Sequence, residues 1–500
     1  MKLWPRRPLW VNDIYRSVVT CRLFGGWMRG STVTRTAVPA TAGRLAELLL
    51  AGDPEQDCLS FGRPVRRAEL RTLVAEQAAG LRAAGLAEGG TVALRLPPSL
   101  AFVAALLAGW SCGAQVSLLD HRLTEAEAGR ALERVGAQVV VTGTDVVAGR
   151  LRGYAEATAV AAPRPGGRPA GTDHALVQLS SGSTGASKVI ARTAADLHAE
   201  LERYRALADP AYPGPGERMV VLASVVHVLG LVGGLLHGLR AGVPLAFAER
   251  LTGDGILAAV AADPRPTTVL GVPFHAELLA AAGTPTPNLR GAIVAGEMIR
   301  PGLPAEFRAR LGVPLGTMYG MTEVGVIATD LDGRRHPAVL PCVDVRAEDG
   351  ELLVRRESSP YLGLSDPARW ADGWLRTRDA ATVDPDTGTV TIRGRLDSQV
   401  SIGGLKVDLT EVEQTLAALP EVAEVVVLHD DGIEAFLALA PGGRADAVEA
   451  AVTRELAAFK RPRRLRVLPA LPRTATNKVV RDLAALRRAA APEPGGPDEH

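Results

Sequence analysis

The sequence predicts an α/β protein of at least two domains, and three observations carry that expectation. The chain has 500 residues, and a single hydrophobic core stops growing near about 250–300. From residue 40 onward, short apolar β-rich segments alternate with helical stretches, the pattern of largely buried strands linked by helices. Near residue 342 the texture changes to alternating hairpin segments, and after Arg395 a further stretch has helices and strands of its own.

Residues 1–30 differ in composition from the rest of the chain. Three of the six tryptophans (Trp4, Trp10 and Trp27) fall there and no alanine does. Asn12, Asp13, Arg16 and Arg22 interrupt any apolar run, which argues against a signal peptide. The stretch reads as a weakly ordered extension with Met28 as an alternative start; a membrane-surface helix is the other reading. Next, TVALRL (91–96), AQVVVT (137–142) and TTVLGV (267–272) read as strands, and LTEAEAGRALERV (123–135) as a helix begun by a threonine and acidic residues. Segments 99–119 and 220–239 contain no Asp, Glu or Lys and no Arg, but their glycines, and two histidines in the second, favour buried strand-and-helix pairs over membrane spans. VDVRAEDGELLVRR and TVDPDTGTVTIRGR read as antiparallel hairpins turned at DG and DTG. The expected division is an extension 1–30, a large domain 31–396, a small domain 397–485 and a disordered tail 486–500.

Composition narrows the function. Hydrophobic residues at 47% and charged residues at 22% exclude a disordered or collagen-like chain. With 56 basic against 55 acidic residues, net +1, no overall field draws the chain to nucleic acid or anionic membrane. Four cysteines without CxxC or Cys/His spacing suggest neither disulfides nor zinc, so a reducing cytoplasm is the expected compartment. Only five basic residues are lysine: Lys2, Lys188, Lys406, Lys460 and Lys478. Against 51 arginines, a surviving lysine marks a place where a compact ammonium is needed, or survives by chance; context decides.

The most informative stretch is LVQLSSGSTGASKV (176–189). A β-rich run enters Ser180, Ser181, Gly182, Ser183, Thr184 and Gly185 and ends at Lys188. Small residues let backbone N–H groups and hydroxyls wrap an anion, and Lys188 adds a point charge. The spacing is not that of a Walker A loop.

This loop resembles the phosphate-binding signature of the adenylate-forming superfamily, which includes acyl-CoA synthetases, peptide-synthetase adenylation domains and luciferases. Companion motifs occur in that family's order. Tyr319-Gly320-Met321-Thr322-Glu323 resembles YGxTE, and Gly373 to Asp379 resembles GWxxTGD. Gly394-Arg395-Leu396-Asp397, with Gly403, Gly404, Lys406, Glu411 and Glu413, resembles the hinge signature. Leu471 to Thr474, with Asn477, Lys478 and Arg481, resembles LPRTxxGKxxR. The resemblance covers roughly residues 40–485. It implies a large domain of parallel-type sheets with helices and a small antiparallel barrel, followed by a small mobile α+β domain.

It also implies a two-step reaction. A carboxylate attacks the α-phosphate of ATP, giving an acyl-adenylate and pyrophosphate; a thiol then displaces AMP. By resemblance the 180–188 loop holds the β- and γ-phosphates, and Glu323 with Thr184 holds Mg²⁺. Thr322 meets the α-phosphate, Tyr319 packs on adenine with Gly320 beside it, and Asp379 accepts from both ribose hydroxyls, flanked by Arg395. Gly296 and Glu297 are expected on the nucleotide side. Lys478 bridges carboxylate and α-phosphate in the first step. For the second, the small domain swings about Asp397 and exchanges Lys478 for the loop of Gly404 and Lys406. Departures from the pattern are Ser187, Val189, Arg378, Asn477, and Ser401 where many ligases carry lysine.

For the acid, Val225 to Leu231 resembles the family's HxxGL stretch, so His227 and Val228, with Met321, are expected to face it. Val228 stands where amino-acid activators place an aspartate. A buried ammonium without a partner is costly, which favours an acid lacking an α-amino group; Ala295-Gly296-Glu297 points weakly the other way. The alternative for His227 is a packed core histidine. No phosphopantetheine-type serine motif occurs after residue 485, so the acceptor is expected in trans, as coenzyme A or the phosphopantetheine of a carrier protein. A non-catalytic nucleotide-binding homologue is the reading from another class, and the presence of Lys478, Glu323 and Asp379 opposes it.

Overall fold

The computed structural model describes residues 41–147, 152–180, 188–207, 212–299, 302–335, 338–396, 398–473 and 479–490. The expected extension 1–30 lies outside them.

Two sheets and a small third layer organise the chain. The six-stranded sheet has the order Glu156–Pro163, Val139–Val147, Thr91–Arg95, Gln115–Leu118, His174–Ser180, Lys188–Thr193. Its four inner strands are parallel and both outer pairs antiparallel. The inner strands Thr91–Arg95 and Gln115–Leu118 are almost wholly buried, as strands covered on both faces must be. In the larger sheet, Asp57–Phe61, Leu245–Phe247, Arg218–Val221, Thr267–Gly271, Leu289–Val294 and Leu315–Met321 run parallel. Antiparallel strands from Gly325–Asp330 to Val345–Glu348 continue the same hydrogen-bonded path. The antiparallel hairpins expected within the large domain continue the main sheet through Ala338–Pro341. The DG turn is present, with Asp349 and Gly350 at φ 52° and 77° between paired strands.

Segment 99–119 is a helix, Leu100–Ser111, leading into the strand Gln115–Leu118. The helix is uncharged because it is buried on nearly every face, and Trp110 Nε1 donates to Ala175 O at 2.8 Å. The main core joins Val92, Val116 and Leu176 of one sheet to Met219, Val221 and Leu245 of the other through this helix. Segment 220–239 enters a π-helix, Leu229–Leu236, a rare form that concentrates at functional sites. Among the described residues no helix is long and apolar enough to cross a membrane.

After residue 397, the hairpin Gln399–Ile402/Leu405–Asp408 leads to the helix Leu409–Ala417. Next come the sheet Val422–His429, Ile433–Leu439, Arg464–Leu468 and the helix Ala445–Glu455. This part has its own apolar cluster around Val412, Leu416, Ile433, Leu437 and Val448. The tail expected to be disordered from 486 needs correction at its start. Helix Leu483–Ala489 runs into it, N-capped by Asp482, and buries Leu486 against Phe436 and Leu471.

Two buried histidines set a pH limit on this core. Burial pushes His237 and His275 each down to about 4. Both are held neutral: His237 Nε2 donates to Pro213 O at 2.9 Å, and His275 Nδ1 accepts from Val272 N at 3.1 Å. Below the unfolded value of 6.5 the unfolded chain binds these protons first, so stability falls as pH drops from 6.5 toward 4. The expected loss is about 2 kcal/mol per histidine between about pH 6.5 and 5. Thermal melts across that range check it, and His275→Asn, which keeps an acceptor for Val272 N, should flatten the slope.

Candidate functional site

The residues singled out in the sequence gather at the carboxyl ends of parallel strands, where open α/β sheets bind ligands. Ser180 ends one strand, Val272 lies just past another, and Gly296-Glu297 and Thr322-Glu323 just past two more. Residues 181–187, with Ser181, Gly182, Ser183, Thr184 and Gly185, lie outside the described residues, as do Asp397 and Lys478.

Glu323 sits in a tight turn between antiparallel strands, where Met321 pairs with Gly325 and Val324 N donates to Met321 O at 3.1 Å. The turn is fixed from behind by the helix Ala194–Ala206. Arg203 Nη2 donates to Val324 O at 2.9 Å, and Val326 N donates to Glu200 Oε1 at 3.1 Å. Glu200 pairs at 2.6 Å with Arg192, and the two side chains are 0% and 1% exposed. In front, Glu323 Oε1 accepts from the Tyr361 hydroxyl at 3.1 Å. The Lys188 ammonium lies 5.9 Å from the centre of the Tyr361 ring, so one aromatic stands between a buried carboxylate and a buried cation. Burial and the nearby Glu323 carboxylate push the Tyr361 hydroxyl well above the usual phenol range, leaving it a donor.

Asp379 forms a second centre. The Tyr319 hydroxyl donates to Oδ2 at 2.6 Å and Arg395 Nη1 to Oδ1 at 3.1 Å. Burial raises the Asp379 pKa, opposed by Arg395 and Tyr319. The neighbouring Arg378 stands where the motif has glycine and adopts φ 62°. Its backbone N–H donates to Glu351 Oε1 at 2.9 Å and its guanidinium to Ala368 O at 2.7 Å, partners that hold a left-handed arginine in place.

The Gly403-Gly404 turn reaches this edge from the hairpin. Gly404 N donates to Glu297 Oε1 at 2.6 Å, Lys406 Nζ to Gly296 O at 2.9 Å, and Ser401 Oγ to the same carbonyl at 3.1 Å. At φ 80°, Gly404 lies so near Val272 that an added Cβ would fall 2.4 Å from Cγ1. Ser401, the departure from lysine, joins the docking contacts. Arg481 and Glu413, from two different motifs, form an ion pair within the small domain, Nη1 to Oε2 at 3.1 Å.

His227 lines a cleft of about 350 Å³ with Asp120, Gln178, Thr322, Lys406 and Phe459. Its Nε2 is 4.0 Å from Asp120 Oδ2 and accepts no hydrogen bond among the described residues. Desolvation of the ring lowers the His227 pKa, with Asp120 opposing. Burial would raise the pKa of Asp120, yet Arg122, bonding both oxygens at 2.8 and 2.6 Å, holds it at about 2. Val228 is half-buried against the main core. Asp120, Gln178, Glu200 and Tyr361 escaped the sequence reading. An acidic residue just beyond an apolar strand was the available signal for Asp120, and a polar residue inside the β-rich run of 176–189 was the signal for Gln178; Glu200 and Tyr361 have no local signature. Among the described residues no cluster of three metal-ligating side chains occurs.

The turn carrying Glu323 gives a direct test. Gly325 has φ 90°, and an added Cβ would lie 2.1 Å from the Glu200 carboxylate carbon. Gly325→Ala is expected to cost roughly 3 kcal/mol or more from overpacking plus backbone strain, read as a lowered denaturant midpoint.

Comparison with known proteins agrees with this geometry. Residues 50–357 match the AMP-binding enzyme family model, and 411–478 match the AMP-binding enzyme C-terminal domain. A 3-[(3aS,4S,7aS)-7a-methyl-1,5-dioxo-octahydro-1H-inden-4-yl]propanoyl:CoA ligase of Mycobacterium tuberculosis is 30% identical over 88% of this chain and 97% of its own. A p-hydroxybenzoic acid–AMP ligase of the same species is 30% identical over 83% of this chain and 64% of its own length. A malonyl-CoA ligase, solved as a product complex with methylmalonyl-CoA and AMP, superposes with TM-score 0.69 at 26% identity, over 86% of this chain and 99% of its own. With both family models matched in order, the chain belongs to the AMP-binding enzyme family of adenylate-forming proteins.

Proposed function

We propose that the protein is an AMP-forming acid–thiol ligase that activates a carboxylic acid without an α-amino group and transfers it to coenzyme A. The observation that carries this reading is the convergence on one edge of the Glu323–Tyr361–Lys188 group, the Asp379 centre and the docked Gly404 turn. The barrier to adenylation is mostly negative charge meeting negative charge, which fixed cations and donors relieve. Lys188 and the 181–187 loop would hold the outer phosphates of ATP, Thr322 the α-phosphate, and Asp379 the ribose, with Tyr319 and Arg395 orienting it. Mg²⁺ keeps several waters and needs only one or two carboxylates beside substrate phosphates. Buried Glu323 fits that demand, Thr184 would be its partner by the family resemblance, and the ion would neutralise phosphate charge.

The acid is read from two neighbours. Val228 offers no charge, and Asp120 is already neutralised by Arg122, so an α-ammonium would lack a partner here. Coenzyme A is favoured as acceptor because the cleft leads from Thr322 and His227 outward to Arg134, an exposed cation suited to phosphate. A second reading, loading of a carrier protein, is favoured by the relative named as an acid–AMP ligase rather than a CoA ligase.

Pyrophosphate release over a panel of acids, with coenzyme A or carrier proteins as acceptor, tests the proposal. A panel in which every acid fails to release pyrophosphate would sink it. Lys478→Ala is expected to cut kcat for adenylation by orders of magnitude with little change in KM for ATP, because an ammonium between two oxygens acts on transition-state charge; activity within a few-fold of wild type would remove Lys478 from the mechanism. Gly404→Ala should do the reverse, sparing pyrophosphate release while thioester formation falls at least tenfold, as its methyl group cannot fit beside Val272.

A further inference from the structure

Lys460 belongs to none of the motifs, yet it is one of the five lysines and is buried. Its ammonium lies 2.8 Å from Glu411 Oε1 on its own small domain and 3.1 Å from Glu127 Oε1 on the large one. Only the Glu411 contact has hydrogen-bond geometry; Glu127 meets Lys460 as an ion pair. Burial would lower the Lys460 pKa, but the two carboxylates outweigh it and hold the amine charged. Glu127 is presented by its own helix. Its Oε2 closes the capping box by accepting from Thr124 N and Oγ1 at 3.0 and 3.1 Å, which leaves Oε1 for Lys460. Two further contacts cross the same boundary: Arg130 Nη1 meets Glu455 Oε2 at 3.2 Å, and the Arg122 guanidinium stands 5.4 Å from the Phe459 ring centre.

We infer that Glu127 and Lys460 are positioning residues for the second half-reaction, an ionic latch that holds the small domain docked with Gly404 against Glu297. This rests on the two-step reading above. The chemistry suits a latch that must open in every cycle. When the domains part, Lys460 keeps Glu411, which travels with it, while Glu127 keeps its cap and regains water; no charge is left buried and alone, which is what makes breaking most buried pairs expensive. A point charge shared by two carboxylates from opposite sides also explains lysine here in a chain that otherwise uses arginine, whose flat fork favours one bidentate partner.

The test uses the full chain and two readouts. Glu127→Gln removes the charge and keeps the capping acceptor, so the melting temperature should hold. Thioester formation from preformed acyl-adenylate is expected to fall by about ten- to 150-fold, the range of one contact to a buried charge, with pyrophosphate release unchanged. Fluorophores at exposed positions 133 and 449, one on each side of the boundary, should report greater separation. Glu127→Lys should be worse, and Glu127→Lys combined with Lys460→Glu should recover much of the loss. Thioester rate and separation both unchanged in Glu127→Gln, or a double variant no better than Glu127→Lys alone, overturns the latch. Should wild type activate no acid, the two-step reading fails instead, and the separation measurement still decides whether the pair holds the domains together.

Discussion

The site depends first on one buried ion pair. Arg192 lies four residues beyond Lys188 on the same strand, and Glu200 lies on the next helix. Their contact ties the strand carrying Lys188 to that helix, and Glu200 then reaches across to Val326 N, just beyond the turn of Thr322 and Glu323. Groups far apart in sequence are thereby held in one frame. A pair this deep adds little net stability compared with apolar packing, but removing one partner would strand a buried charge at a cost of about 3–5 kcal/mol. Its value is geometric: Glu323 cannot drift from Lys188 without separating charges that have no water to receive them.

Around that frame the second constraint is the contact of the Gly404 turn with one edge of the sheet. The Gly404 turn occupies the neighbourhood of Glu297 and Val272 through three hydrogen bonds and one contact that excludes any side chain. Such contacts are close but few, and the ionic contacts nearby leave each charge with a partner or with water after separation.

Much of this was legible in the chain. Strands and helices fell where apolar runs and the Thr124 cap placed them, because patterning and capping act over a few residues. The motifs located the edge as well. What the sequence did not disclose are partners set by the fold: Tyr361 meets Glu323 across 38 residues, and Glu200 meets Val326 across 126. Helix Leu483–Ala489 was missed because its seven residues bury only Leu486, too little to show as a period. Lysine scarcity was a sound clue used incompletely, since it marked Lys460 before anything showed why. Arg378 departs from the motif's glycine, yet the backbone there keeps the left-handed conformation glycine would take.

That arginine also bears on where the proposed hinge would lie. Leu396 N donates to Arg378 O at 2.8 Å, on the large-domain side, whereas Leu409 N donates to Ser398 O at 3.1 Å and Ser398 Oγ to Asp408 Oδ1 at 2.7 Å, on the small-domain side. Hydrogen-bond allegiance therefore changes between Leu396 and Ser398, which is where a hinge at Asp397 would concentrate its backbone rotation. The strand that ends there pairs Arg395 with Asp379 as direct neighbours across the ladder. The carboxylate proposed for the ribose and the base of the pivot thus share one rung. A nucleotide that replaces Tyr319 or Arg395 as partner of Asp379 would act on the last fixed residues before the hinge, so substrate binding and domain rotation need no longer path between them than a single pair of strands.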